Sequence, residues 1–264
     1  MKKAPIVPRE VTQAKLDHRA SAGQRHRASQ TFTIAERVEE SAVRYAERPC
    51  ILYGTERYDY AESNRRVNQV AHAAHALGLR CGDVVALCME NRPAFMFAWL
   101  GLTKLGVRLV FLNTNVSGKP LVHALAATGA TLAVFGEECL GLLAATELPA
   151  AMRYWLWPDA ENPAPAALRA RCTLDFAQAV SQAPDSNPPA TWRAGLVAGD
   201  PALFIFTSGT TGLPKAAVIS HARWLITGDP TAAALLVAAR NPRVAAVVSL
   251  AAFAHPAGIM RRWM

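Results

Sequence analysis

Nine consecutive residues concentrate the chemistry of this chain. Thr207-Ser208-Gly209-Thr210-Thr211-Gly212-Leu213-Pro214-Lys215 offers hydroxyls, glycines and a terminal cation, the ingredients of a phosphate grip. Gly209 and Gly212 allow positive φ and a close approach of backbone to ligand. Successive N–H groups in such a turn form an anion-binding concavity. Ser208, Thr210 and Thr211 add hydroxyl donors, and Lys215 adds a mobile point charge suited to phosphate. The spacing is not that of a Walker A loop, which needs Gly-Lys-Ser/Thr after G-x-x-x-x. The competing reading is a plain polar turn between two strands.

A loop of this kind needs a strand to deliver it and another to carry the chain away. The apolar residues 202–206 predict the first, and 215–220 the second. Upstream, helical periodicity over 33–47 begins at Thr33, with Glu36 placed for a capping box. Residues 51–53 and 57–60 flank Gly54-Thr55 as a hairpin. Helices are predicted over 61–77, 93–105 and 119–128, with strands at 83–89, 108–112 and 131–135. Alternating helices and near-continuous apolar strands predict an α/β fold: a largely parallel sheet with flanking helices. The Pro- and Ala-rich text from 157 to 190 reads as a linker or surface excursion. The expected organisation is a basic arm at 1–30, a first α/β subdomain at 31–182, a linker at 183–199, and the start of a second subdomain at 200–264.

Other residues invite chemistry, each with a structural alternative. His221 follows the outgoing strand; it either touches phosphate or lines a substrate pocket, or it packs a helix start. Asn113 and Asn115 follow a strand's carboxyl end, where open sheets bind ligands, yet a helix-entry turn fits them equally. His72 and His75 share a helix face, but no further ligands stand at zinc spacing. Phe95, Phe97 and Trp99 fit core packing.

The 264 residues, 52% hydrophobic, exclude a disordered chain. Five scattered cysteines without a C-x-x-C pair point to free thiols in a reducing cytoplasm. The formal charge is +8, of which residues 1–30 carry +5. No nucleic-acid-binding motif accompanies that basic arm; a solvated leader or an attraction to anionic lipid headgroups accounts for it. The N-terminus lacks the apolar stretch of a signal peptide. The uncharged run 244–260 contains His255, Pro256 and Gly258 and reads as core rather than a membrane span.

The loop residues resemble the signature of the adenylate-forming enzymes, most of which place Gly directly after the lysine; here Ala216-Ala217-Val218-Ile219-Ser220-His221 follow instead. Together with Val85-Ala86-Leu87-Cys88-Met89-Glu90-Asn91-Arg92-Pro93 and Phe111-Leu112-Asn113-Thr114-Asn115, they resemble the fatty acid transport protein and very-long-chain acyl-CoA synthetase branch. The resemblance spans roughly residues 31–225. It implies the N-terminal part of that family's large domain, without its C-terminal domain. It also implies activation of a long or very long fatty acid to acyl-CoA through acyl-AMP, with ATP, magnesium and CoA taking part. Thr207, Ser208, Gly209, Thr210, Thr211, Gly212 and Lys215 would hold the nucleotide's phosphates. The expected location is cytoplasmic or peripheral on the inner face of a membrane. The family's Tyr-Gly-x-Thr-Glu segment and late catalytic lysine have no counterpart. Thr227-Gly228-Asp229 spells its ribose triplet in the wrong place, and no catalytic residue is identified. A truncated, non-catalytic fragment and a fatty-acid uptake or retention protein are therefore the alternatives.

Overall fold

The computed structural model describes residues 26–144, 146, 151–207, 213 and 215–227, together with 10, 13 and 17. Helix α1 (Ile34–Arg44) starts where the sequence signals it. Thr33 Oγ1 accepts from Ala35 N, and Glu36 reaches back to the Thr33 N–H at 2.8 Å. Strands β1 (Pro49–Tyr53) and β2 (Glu56–Asp59) form an antiparallel hairpin. Helix α2 (Tyr60–Ala76) follows, capped by Asp59. Then come β3 (Val84–Cys88), α3 (Pro93–Lys104), β4 (Arg108–Phe111), α4 (Lys119–Thr128) and β5 (Leu132–Gly136). Proline near the first position of α3 and α4 lacks only an N–H that has no intrahelical partner there.

The 157–190 stretch is more ordered than a linker. Strand β6 (Arg153–Trp157) leads into it, and it holds β7 (Leu174–Asp175) and the helix Phe176–Ser181. Phe176 is fully buried, with its ring 4.9 Å from that of Trp155. One buried aromatic, Phe176, directly after β7, outweighs a composition that reads as loop. Strands β8 (Pro201–Thr207) and β9 (Lys215–Ser220) and the helix α5 (His221–Thr227) complete the described chain.

Among the described residues, seven strands form one sheet in the order β7-β6-β5-β3-β4-β8-β9. All neighbours are parallel except β8 and β9, which are antiparallel. Beyond the compositional boundary at 183–199, β8 pairs with β4, which precedes it. The two sides of that boundary therefore share a sheet. Both faces of the sheet are covered. Val85 and Leu87 of β3 pack with Val67 and Val70 of α2 and Trp99 and Leu102 of α3, whereas Ala86 and Cys88 face Leu121 and Leu125 of α4. That two-sided burial is why the strands read as unbroken apolar runs.

Helices α2 and α3 touch at Gly101, where a Cβ would stand 2.4 Å from Val70 Cβ. Beside this contact Lys104 is fully buried. Its ammonium reaches Asn64 Oδ1 (2.8 Å), Asn68 Oδ1 (2.6 Å), Asn187 Oδ1 (3.0 Å) and Glu39 Oε1 (3.2 Å). Arg193 binds Glu36 Oε1 at 2.8 Å. These contacts tie the connection before β8 to α1, α2 and α3.

Candidate functional site: the β8–β9 hairpin

Strand β8 lies in the sheet in register with β4, pairing Leu109 with Leu203 and Phe111 with Ile205. Its carboxyl end, Thr207, stands opposite Lys215, the first residue of β9. Facing residues of an antiparallel pair have Cα atoms about 5 Å apart. The two ends of the 208–214 connection are thereby held together at the carboxyl edge of a parallel sheet, where open α/β sheets bind ligands. Ser208, Gly209, Thr210, Thr211 and Gly212 fall outside the described residues. Leu213 is half exposed, at 50%, and Lys215 is exposed.

Among the described residues, strand β9 is the terminal strand of the sheet. Its first four residues, 215–218, are exposed. The chain then turns into α5, whose first residue, His221, is 1% exposed. Its Nδ1 accepts the Ile34 backbone N–H at 3.4 Å, and its own N–H donates to Asp200 O at 3.2 Å. Burial holds the ring's pKa down at about 4, although Asp200 and Glu36 pull it upward. His221 is thus a neutral ring packed at the start of two helices. Of the two roles the sequence left open to it, this is the geometry of the helix-start role.

The remaining chemistry-bearing residues are brought to other places. Asn113 Oδ1 accepts from Asn115 N at 2.8 Å, an Asx turn before α4. The rings of His75 and Trp192 stack at 3.7 Å, and His72 meets the same indole edge-on. Among the described residues no group of three or more His, Cys, Asp or Glu side chains is placed to hold a metal ion. The five cysteines are free thiols, and Trp99 is fully buried in the core. Among the described residues no helix is long and apolar enough to cross a membrane; the run 244–260 lies outside them.

The sequence reading missed two polar clusters. One is the Lys104 hub; burial pushes this lysine down to about 8 while Glu39 pulls it up. Asn64 and Asn68, four residues apart on α2, were the available signal, but nothing in the text places them against a lysine of another helix. The other lies where the strand order reverses about β3. There Arg92 Nη2 meets Glu138 Oε2 at 3.1 Å, and Glu138 Oε1 accepts from Glu90 N at 2.8 Å. The pair borders a cleft of about 690 Å³ lined also by Tyr58, Phe97 and Trp157.

With this geometry in view, comparisons with known proteins agree. The profile of the family described as "AMP-binding enzyme" matches residues 38–264. Long-chain fatty acid transport protein 2 of Rattus norvegicus is 39% identical over 201 residues, covering 72% of this chain and 30% of that protein. A medium/long-chain fatty acid–CoA ligase of Mycobacterium tuberculosis is 31% identical over 206 residues, covering 78% of this chain and 32% of the ligase. The chain therefore spans about a third of the length of these relatives. Among solved structures, the anthranilate CoA ligase AuaEII in complex with anthranoyl-AMP superposes with a TM-score of 0.65 at 18% identity, over 78% of this chain and 38% of that one. The N-terminal domain of FACL13 from Mycobacterium tuberculosis gives 0.58 at 24%, over 72% and 44%. At such identities these likenesses speak for the fold alone.

Proposed function

This chain belongs to the AMP-binding enzyme family, and we propose that it supplies the phosphate-gripping part of an enzyme that activates long-chain or very-long-chain fatty acids. The observation that carries the reading is the hairpin itself. It sets a Ser/Thr/Gly connection, closed by Thr207 and Lys215, at the carboxyl edge of the sheet.

The chemistry explains why such a grip is needed. A carboxylate is a poor acyl donor, because its leaving group would be oxide. One carboxylate oxygen attacks the α-phosphorus of ATP, and the bond from that phosphorus to the bridging oxygen breaks. Pyrophosphate leaves with the electron pair, and an acyl-AMP mixed anhydride remains. The thiol of CoA then attacks the acyl carbon, loses its proton and expels AMP. In the first step negative charge grows on the departing pyrophosphate. Donors fixed before the reaction stabilise that charge without reorganising. In this reading the hydroxyls of Thr207, Ser208, Thr210 and Thr211, the N–H groups beside Gly209 and Gly212, and the Lys215 ammonium are those donors. Magnesium beside the phosphates is what the family resemblance implies.

Two narrower statements belong to the same proposal. Residues 1–264 carry no counterpart of the family's adenine, ribose and late-lysine segments, so this polypeptide by itself binds nucleotide without completing acyl-CoA synthesis. The names of the relatives, fatty acid transport proteins, favour a second reading. There, activation retains the acid after uptake, at the inner face of a membrane to which the basic arm is drawn.

Calorimetry of the 264-residue chain with ATP and with pyrophosphate tests the loop assignment. Saturable binding that is lost in Lys215→Ala supports it, and no binding to the intact chain refutes it. Acyl-CoA formed from fatty acid, ATP and CoA by this polypeptide alone would overturn the division of labour.

A further inference from the structure

Helix N-termini leave their first N–H groups without intrahelical partners. In α1, Thr33 Oγ1 serves Ala35 N, and His221 Nδ1 serves Ile34 N. Ile34 is fully buried, so water has no ready access to replace the ring. His221 is separated from Ile34 by most of the chain, yet it stands at the exit of β9. Among the described residues, strand β9 has one neighbour in the sheet, β8, and four of its six residues are exposed. Its attachment at the far end therefore carries weight. That attachment consists of His221, the bond from Ala222 N to Ala198 O (2.6 Å), and the edge-on contact of Trp224 with Trp99 at 5.8 Å.

We propose that His221 is a positioning residue for strand β9: as an acceptor of the Ile34 N–H, it pins the strand that begins at Lys215 to the start of α1. Its effect on pyrophosphate rests on the nucleotide-gripping reading proposed above. Nδ1 accepts, so the ring proton sits on Nε2. A second proton on Nδ1 would abolish the bond. The charged groups facing the ring are Asp200, before β8, and Glu36 of α1, itself held by Arg193 and Thr33. On the ring's own helix, Arg223 is exposed. Burial outweighs both carboxylates and keeps the ring neutral down to about pH 4.

The test uses the 264-residue chain and inorganic pyrophosphate, with far-ultraviolet circular dichroism to confirm that each variant is folded. His221→Leu, which leaves the buried Ile34 donor unpaired, is expected to weaken pyrophosphate binding about tenfold at pH 7.5. His221→Asn, which restores an acceptor, is expected to recover most of that loss. Because asparagine does not titrate, the affinity of the unsubstituted chain should fall relative to His221→Asn as pH drops through 5 towards 4. Pyrophosphate's own titration is common to both and cancels. Ile34→Pro removes the donor from the other side. Proline fits this first helical position, and Thr33 is already extended (φ −113°, ψ −170°), as a residue before proline prefers. It should match His221→Leu. Hydrogen exchange of residues 215–220, measured without ligand, should quicken in His221→Leu and Ile34→Pro and stay near the original rate in His221→Asn. A folded His221→Leu that binds and exchanges like the unsubstituted chain overturns the proposal, as does parallel pH behaviour of the histidine and asparagine forms. If the intact chain binds no pyrophosphate while exchange responds as described, the strut stands and the reading of the loop falls.

Discussion

Thr207 and Lys215 face each other across β8 and β9, so the hydroxyl-rich connection between them begins and ends at one point on the sheet edge. A lysine placed there sets a cation beside whatever the connection holds. Its contact with a phosphate is charge-assisted and about twice as strong as a neutral hydrogen bond.

The first expectation concerns that pair of strand ends. In a form of the protein extended to the length of its relatives, Lys215→Ala and Thr210→Ala should lower fatty-acid-dependent exchange of pyrophosphate into ATP. If the contacts tighten as pyrophosphate departs, turnover falls more than substrate affinity. Losing the lysine should cost about 10²-fold or more in turnover, in line with removal of a single preorganised donor. Unchanged exchange in both variants, or a defect confined to the apparent affinity for fatty acid, would show that the loop does other work.

Gly101 offers a test of packing. Alanine is the better helix former by about 1 kcal/mol, yet its Cβ would stand 2.4 Å from Val70 Cβ and 2.6 Å from Val67 O. Overpacking of this kind costs about 1–3 kcal/mol. Gly101→Ala should therefore lower stability in urea, despite its gain in propensity. A variant as stable as the original would mean that α2 and α3 separate freely.

Lys104 predicts a pH dependence with a definite sign. Burial lowers its pKa from 10.5 to about 8 in the folded chain. Between those values the unfolded chain binds the proton that the folded chain releases, so this residue makes stability rise with pH from about 8 to 10.5 and leaves it level below 8. The full effect is on the order of 3 kcal/mol. It is read by subtracting the urea profile of Lys104→Met from that of the unsubstituted chain. A difference that shrinks as pH rises, or none, would contradict the buried, depressed amine. At pH 7 the methionine variant itself should be destabilised. It takes the ammonium from the carbonyl oxygens of Asn64 and the buried Asn68, whereas Asn187 keeps the amides of Asn64 and Asn68 and Glu39 keeps Arg193; an unpaired buried polar group costs about 1–3 kcal/mol.

His221 titrates on the opposite side of neutrality. Its folded pKa near 4 lies below the ordinary 6.5, so the unfolded chain takes up a proton that the folded ring refuses. This residue alone should make stability fall as pH drops from about 6.5 to 4. The same slope should be missing in His221→Asn. Equal slopes in the two proteins would mean that the ring is solvated.

What was legible in the sequence is what local chemistry determines. Helix starts at Thr33 and Pro93, the hairpin at Gly54, the buried parallel strands and the delivery of 207–215 by two strands follow from caps, turn residues and periodicity. Each is decided within a few residues by backbone sterics and by which face meets water. Short elements such as β7 and the helix Phe176–Ser181 were not legible, because a few residues carry too little periodicity and a single buried ring holds them in place. Nor was the partnership of Lys104 with Asn64, Asn68 and Asn187, or of His221 with Ile34. Those contacts join residues far apart in the chain, and only the packing of α1, α2, α3 and α5 brings them within hydrogen-bond reach. The sequence by itself determined that one strand would lead into the Ser/Thr/Gly connection and another would leave it. The tertiary structure alone decided that its outgoing strand is anchored by a neutral histidine at another helix's first free N–H, because burial sets both the contact and the protonation state that the contact requires.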